Sequence, residues 1–263
     1  MSALGTAIGD LLDSLGAWRL WSLLGWLEIR QRYARSKIGP FWLTISMGVL
    51  VGTMGVVYGA LFAQKLADYL PMVAIGLVSW GLFSGTVSEG CNAYIASANY
   101  IRQVATPRLV YMLQVAWRNL VIFAHNFCIV IVVLIVFGVH DWTTLPLFLP
   151  GLALFVLNAT WIAVLTGLLA ARFRDLPQIV NALLQVAFYV TPILFHGEML
   201  SARHRWIVEF NPLAYLIDVV RQPLMGVATP LSTWALVCVM TVVGWLLALA
   251  LTGRYHKRIP YWI

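Results

Sequence analysis

The chain has 263 residues, 61% of them hydrophobic and only 10% charged, with a mean hydropathy of +0.85. So little polar surface cannot cover a soluble domain of that length, and several apolar runs reach the length of about 20 residues that a bilayer requires. The net charge of +7 does not mark a nucleic-acid binder, because the cations cluster in short segments flanking apolar runs, as the positive-inside rule distributes them.

The first thirty residues do not read as a signal peptide: no Lys or Arg precedes Arg19, and Asp10 and Asp13 stand where a basic region would be. Leu12, Leu15, Leu20, Leu23, Leu24 and Leu27 recur at roughly helical spacing, with Trp18, Trp21 and Trp26 and the polar Asp13, Arg19, Ser22 and Glu28 among them. Indole rings favour the headgroup level, so residues 10–30 are expected to form an amphipathic helix in the membrane interface.

A basic collar follows. Arg30, Arg32, Arg35 and Lys37 place four cations in eight residues, ahead of Gly39-Pro40 and the aromatic pair Phe41-Trp42. From Phe41 to Gln64 there is no charge, which marks the collar as the cytoplasmic mouth of a membrane helix.

Six spans are expected, at residues 41–63, 70–90, 109–137, 147–170, 179–196 and 231–252. With the amino terminus inside, twelve Lys or Arg residues fall in cytoplasmic segments, against Lys65, Arg203, Arg205 and Arg221 outside, so both termini are expected to be cytoplasmic. In the first span Gly48, Gly52, Gly55 and Gly59 share one helical face, suited to close packing of another helix or to a smooth wall beside a moving substrate. Glu89 ends the second span and Arg118 lies in the third. Ionisable groups at membrane depth seek a partner, and these two read as an ion pair that binds the bundle or takes part in a relay.

Between spans two and three, residues 91–108 are too polar to cross the membrane and too apolar to float free. They suit a short helix docked under the membrane, with Ile101 and Val104 turned toward a protein surface. The connection from Gly197 to Pro230 is broken at Asn211-Pro212, and its apolar stretch carries Asp218 and Arg221. Leu213 to Val220 is too short for a further span and already carries a charge, and two short re-entrant helices fit the connection better.

Chemistry carried by the chain alone is hard to find. No glycine-rich loop ends in Gly-Lys-Ser or Gly-Lys-Thr, so no ATP site of that kind is expected. Candidate catalytic groups scatter, with His140-Asp141, Glu198 and His204 on one side and Asp175 on the other. Cys91, Cys128 and Cys238 stand apart from one another, which gives neither metal nor redox spacing.

The run from Arg30 to Trp42 and the glycine-striped span after it resemble the permease subunits of ABC-2 type exporters of lipid-linked polysaccharide, particularly those for O-antigen. Further matches follow in the same order: Asn99 to Arg108 with its Thr-Pro-Arg ending, Arg172-Phe173-Arg174-Asp175, Tyr189 to Phe195, Asn211-Pro212, and Arg258-Ile259-Pro260-Tyr261-Trp262. The resemblance implies an all-α integral membrane protein with six transmembrane helices, an interfacial amino-terminal helix, a cytoplasmic coupling helix in residues 91–108, and short helices in residues 197–230 that gate the outer side.

It also implies a homodimer of permeases in the bacterial inner membrane, working with two separate ABC ATPase subunits that bind ATP and Mg. The chain itself would hold no cofactor and no metal. An undecaprenyl-pyrophosphate glycan would first meet Arg30, Arg32, Arg35 and Lys37, because Arg binds phosphate oxygens bidentately. Trp42, Gly52, Gly55, Tyr58, Phe62, Phe188, Tyr189 and Phe195 are candidates for the polysaccharide channel, since rings stack on sugars without fixing any one of them. Tyr100, Ile101, Arg102, Val104, Thr106 and Arg108 would meet the ATPase subunit, and Leu213, Tyr215, Asp218 and Arg221 would form the gate. Exporters of capsular polysaccharide or teichoic acid share nearly all of these features. A membrane enzyme acting on lipid-linked sugars is the competing class, set back by the missing catalytic cluster.

Overall fold

The computed structural model describes residues 3–33, 39, 41–104, 106–138, 141–199 and 201–263, with the side chains of residues 3, 4, 32 and 33 excepted. Among the described residues every regular element is helical. Where residues 10–30 suggest one interfacial helix, two stand end to end: α1 (Ala3–Gly16) and α2 (Trp18–Tyr33). Each has a buried face. On α1 it is formed by Ala7, Asp10 and Ser14, a helical i, i+3, i+7 stripe that lies mainly against α11.

Five helical segments are long and apolar enough to cross a membrane: Phe41–Leu61, Leu66–Ala96, Val110–Phe137, Trp142–Arg172 and Leu231–Tyr255. They contain α3 (Phe41–Leu61), α4 (Leu66–Ala96), α6 (Val110–Phe137), α7 (Phe148–Arg172, led by a 3₁₀ turn) and α11 (Leu231–Tyr255), while the short α5 (Ala98–Gln103) joins α4 to α6. The expected fifth span differs. Its helix, α8, covers Leu176–Val190 and stops short of His196. Thr191 is extended, with ψ at 138°, because the ring of the following Pro192 disfavours helical geometry at the residue before it.

The long connection after α8 contains α9 (Trp206–Glu209) and α10 (Pro212–Leu224), and α12 (Ile259–Trp262) closes the chain order. At the start of α10 the Asn211 side chain accepts from the Leu213 N–H at 3.0 Å, and Pro212 takes the first helical position, where a missing N–H costs nothing.

The bundle is built around α4, whose Met72 to Val78 run is buried on every side. Helices α3, α6, α7, α8 and α10 surround it. The approach of α7 depends on small residues: a Cβ on Gly90 would stand 2.5 Å from the Ala163 Cβ, and one on Gly167 only 2.6 Å from the Gly90 carbonyl oxygen. Backbones that close gain dispersion contacts along the whole crossing, which is how helices associate where lipid removes the hydrophobic drive. The glycine stripe of α3 divides. Gly55 and Gly59 are buried against Leu70 and Tyr69 of α4, Gly48 faces Ile129 of α6, and Gly52 opens onto free space.

Candidate functional site: the polar cluster and coupling face

At one end of the bundle, charged groups from three helices converge. Arg118 of α6 places Nη2 2.7 Å from Glu89 Oε2 on α4, and its Nη1 pairs with Glu28 Oε2 on α2. Asn119 donates to the same Glu89 oxygen at 2.7 Å, and Gln114 donates to Glu28 at 2.7 Å. The Arg118 side chain is only 11% exposed, and the two carboxylates that flank it offset the cost of burying its charge. The cluster borders a cavity of about 230 Å³ that also reaches Ser88 and Asn92.

Sequence reasoning named Glu89 and Arg118 and left Glu28 as part of a polar helix face. The signal for the third member was present: Trp21, Gly25 and Glu28 lie at i, i+4 and i+7, one stripe of α2. That stripe meets α6. Trp21 lies edge-on to Trp117 with 6.0 Å between ring centroids, and a Cβ on Gly25 would stand 3.2 Å from the Gln114 carbonyl oxygen. Trp21 is therefore a packing residue, whereas Trp18 and Trp26 are exposed as an interfacial helix requires.

Asp10 was a second omission. Its buried carboxylate accepts from the Arg108 N–H at 2.8 Å and the Leu109 N–H at 3.0 Å, supplying α1 as a cap for the start of α6. An anion there satisfies two orphan donors and complements the helix dipole. Asp10→Ala is expected to lower stability by about 1–2 kcal/mol, and Asp10→Asn by less because an acceptor oxygen remains. Melting in detergent checks this order.

The segment from α5 to the start of α6 presents a mixed face. Ile101 is 3% exposed and belongs to the chain's own core, while Tyr100 and Val104 are exposed and line a cleft against Leu20, Leu24 and Leu27 of α2. Arg102 donates to the main-chain oxygen of Ile263, which fastens α5 to α12. Thr106 and Tyr111 share a hydrogen bond of 2.8 Å, and the Arg108 guanidinium donates to the Ile101 carbonyl at 3.2 Å. Arg172 lies over both Phe173 and Trp262, at 5.3 and 5.6 Å from the ring centroids, so the loop after α7 joins the same face.

Of the collar, Arg30 is exposed near the end of α2, and Arg32 stands on the same helix. Arg35 and Lys37, like the side chain of Arg32, lie outside the described residues. The channel candidates fall into two ring chains. Tyr58 contacts Phe62, which contacts Tyr69; Tyr189 contacts Phe188, which contacts Trp80 of α4. Trp42 and Tyr189 are exposed, Gly55 is covered by Leu70, and Phe195 stands beyond the end of α8.

At the opposite end, the chain after α8 is held from three directions. Tyr69 donates to the Leu194 carbonyl, Asn211 donates to Thr191 at 2.9 Å, and Arg221 donates to the Pro192 carbonyl at 2.6 Å. Arg221 is fixed in turn by Asp218 at 2.6 Å. Leu213 is half-buried, and Tyr215 donates to the Glu209 carbonyl at 2.8 Å. Burial first, then the nearby Arg221 charge, keep the His196 imidazole below its ordinary pKa.

Five helical segments long and apolar enough to cross a membrane, with polar clusters at both ends of the bundle, give the chain the outline of a multi-pass membrane transport subunit. Residues 19–225 match the ABC-2 type transporter model, and the chain belongs to that family. It is similar to two proteins of Klebsiella pneumoniae described as O-antigen export system permease protein RfbA. One is 25% identical over 194 residues, covering 72% of this chain and 74% of that protein; the other is 23% identical over 234 residues, covering 88% of each. A protein of the same description from Myxococcus xanthus is 28% identical over 196 residues, covering 72% of this chain and 74% of that protein.

Proposed function

We propose that the chain is one of two identical permeases in an exporter that moves undecaprenyl-pyrophosphate-linked O-antigen glycan across the bacterial inner membrane, driven by two separate ABC ATPase subunits that hold ATP and Mg. The observation that carries this reading is the similarity to an O-antigen export permease over 88% of both chains, within a family match over residues 19–225.

Helix α8 makes the sixth crossing. Its 15 residues rise about 22 Å, short of the hydrocarbon core of about 30 Å, and the buried chain from Thr191 to Ile193 completes the distance against α4 and α10. Irregular backbone at that depth is stable because protein covers it. Both termini are then cytoplasmic, with α1 and α2 in the inner interface. The lipid pyrophosphate meets the cations of the collar, and the glycan passes the exposed rings of α3 and α8, Trp42 and Tyr189, near the second copy. The ATPase subunit docks on the face of Tyr100, Arg102 and Val104, and α9 and α10 gate the outer side.

Purified permease should co-elute with the ATPase subunit, and lipid-linked glycan should stimulate ATP hydrolysis in nanodiscs. A chain that turned over glycan-lipid alone, without nucleotide, would overturn the reading. Neutralising Arg32 and Arg35 together to Gln should reduce surface polysaccharide several-fold while leaving the protein inserted, as immunoblots of membrane fractions and polysaccharide gels would show. Normal export in that double variant would remove the role of the collar.

A further inference from the structure

The cavity between the end of α8 and α10 has the chemistry of a sugar site. Its volume is about 370 Å³, within the range of small-ligand pockets, and its walls include Pro192, His196, Glu198, Arg205, Asp218 and Arg221. Two of these are fixed in advance: Arg221 is held by Asp218 and the Pro192 carbonyl, so part of its guanidinium is presented without further ordering. Four others bring hydrogen-bonding capacity of their own. The exposed Glu198, Arg205 and Glu209 side chains make no hydrogen bond or ion pair among the described residues, and Gln222 Oε1 is buried without a partner there. The floor is rigid, because Tyr69, Asn211 and Arg221 grip residues 191–194 from separate positions.

The balance of charge selects among ligands. Three carboxylates against two guanidiniums disfavour a phosphate, and among the described residues no three His, Cys, Asp or Glu side chains are placed to hold a metal. A neutral polyol remains. Its hydroxyls both donate and accept, and planar carboxylate, carboxamide and guanidinium groups bind pairs of neighbouring hydroxyls two at a time. We infer that this cavity is a carbohydrate subsite, holding one or two sugar residues of the glycan as it leaves the gate. The inference rests on the export reading and adds to it a defined contact on the outer side.

Saturation-transfer NMR on the permease in nanodiscs tests it, with lipid-free glycan released by mild acid from the surface polysaccharide of the source strain as the probe. Wild type should transfer magnetisation to the sugar protons. Glu198→Ala combined with Gln222→Ala should weaken binding about tenfold, from the loss of two hydrogen bonds, and Lys65→Gln should leave it unchanged. Arg205→Gln, at an exposed position, should weaken it several-fold and serves if the double variant does not fold.

Absence of transfer in wild type, undiminished binding in both the double variant and Arg205→Gln, or displacement of the glycan by inorganic phosphate would overturn the subsite. ATP hydrolysis by the same permease with its ATPase subunit separates the two claims. If lipid-linked glycan stimulates hydrolysis while free glycan does not bind, the subsite alone falls; without stimulation the export reading falls too.

Discussion

Replacing Arg118 by methionine is expected to destabilise the protein by about 3 kcal/mol, the lower end of the range for breaking a buried ion pair, because Glu28 is partly exposed. The loss comes less from the missing attraction than from what stays behind. Glu28 and Glu89 would both line a cavity of about 230 Å³ without the cation that joins them, although Gln114 and Asn119 would still donate to them. Adding Glu89→Gln to Arg118→Met should recover about half of the loss, since the remaining carboxylate reaches the cavity's open side. Arg118→Lys should be intermediate, because an ammonium cannot present two edges to two carboxylates at once. Thermal unfolding in detergent measures all three. If Arg118→Met melted with the wild type, the cluster would not be what holds α2 to the bundle.

Gly167→Leu is the second large effect. A Cβ at this position would stand 2.6 Å from the Gly90 carbonyl, and backbone in the centre of the bundle cannot yield as a side chain can. Overpacking of this kind costs about 3 kcal/mol or more and would separate α7 from α4. The expected result is loss of the monodisperse peak on size exclusion, with Gly167→Ala showing a weaker form of the same defect. Gly52→Ala, where a Cβ meets open space, should behave as wild type. Equal behaviour of Gly167→Leu and Gly52→Ala would mean that the α4–α7 crossing is looser than the structure shows.

Much of the architecture could be read from the order of residues, and the failures have physical causes. Apolar length placed α3, α4, α6, α7 and α11, because a bilayer imposes one scale on every crossing. The expected fifth span runs six residues past the end of α8 because residues 191–196 are apolar enough to continue a span, while the restraint that Pro192 puts on helical geometry at Thr191 is purely local. The division of the amino-terminal segment into α1 and α2 was hidden for a related reason: leucines at helical spacing run through the break at Ala17.

The polar groups were harder to read. Glu89 and Arg118 stood out as charges inside apolar runs, but Glu28 and Asp10 sit in a segment where charges are ordinary, and only the fold shows that one meets a guanidinium and the other two backbone amides. For the candidate channel, the sequence offered ring types without saying which way they face. Phe188 turns onto Trp80, and Tyr189, its neighbour, turns outward.

The proposed export of a lipid-linked glycan, powered by another chain, can be followed directly. Its most direct measurement is translocation in proteoliposomes holding the permease, its ATPase subunit and the source strain's lipid-linked glycan, scored by the fraction of glycan shielded from an added glycosidase. With ATP and Mg supplied outside, ATPase-outward vesicles should take glycan into the lumen, and neither a nonhydrolysable nucleotide nor omission of the ATPase subunit should support uptake. Shielding that proceeds equally without ATP, or fails with every component present and hydrolysis running, would contradict ATP-powered export by this permease.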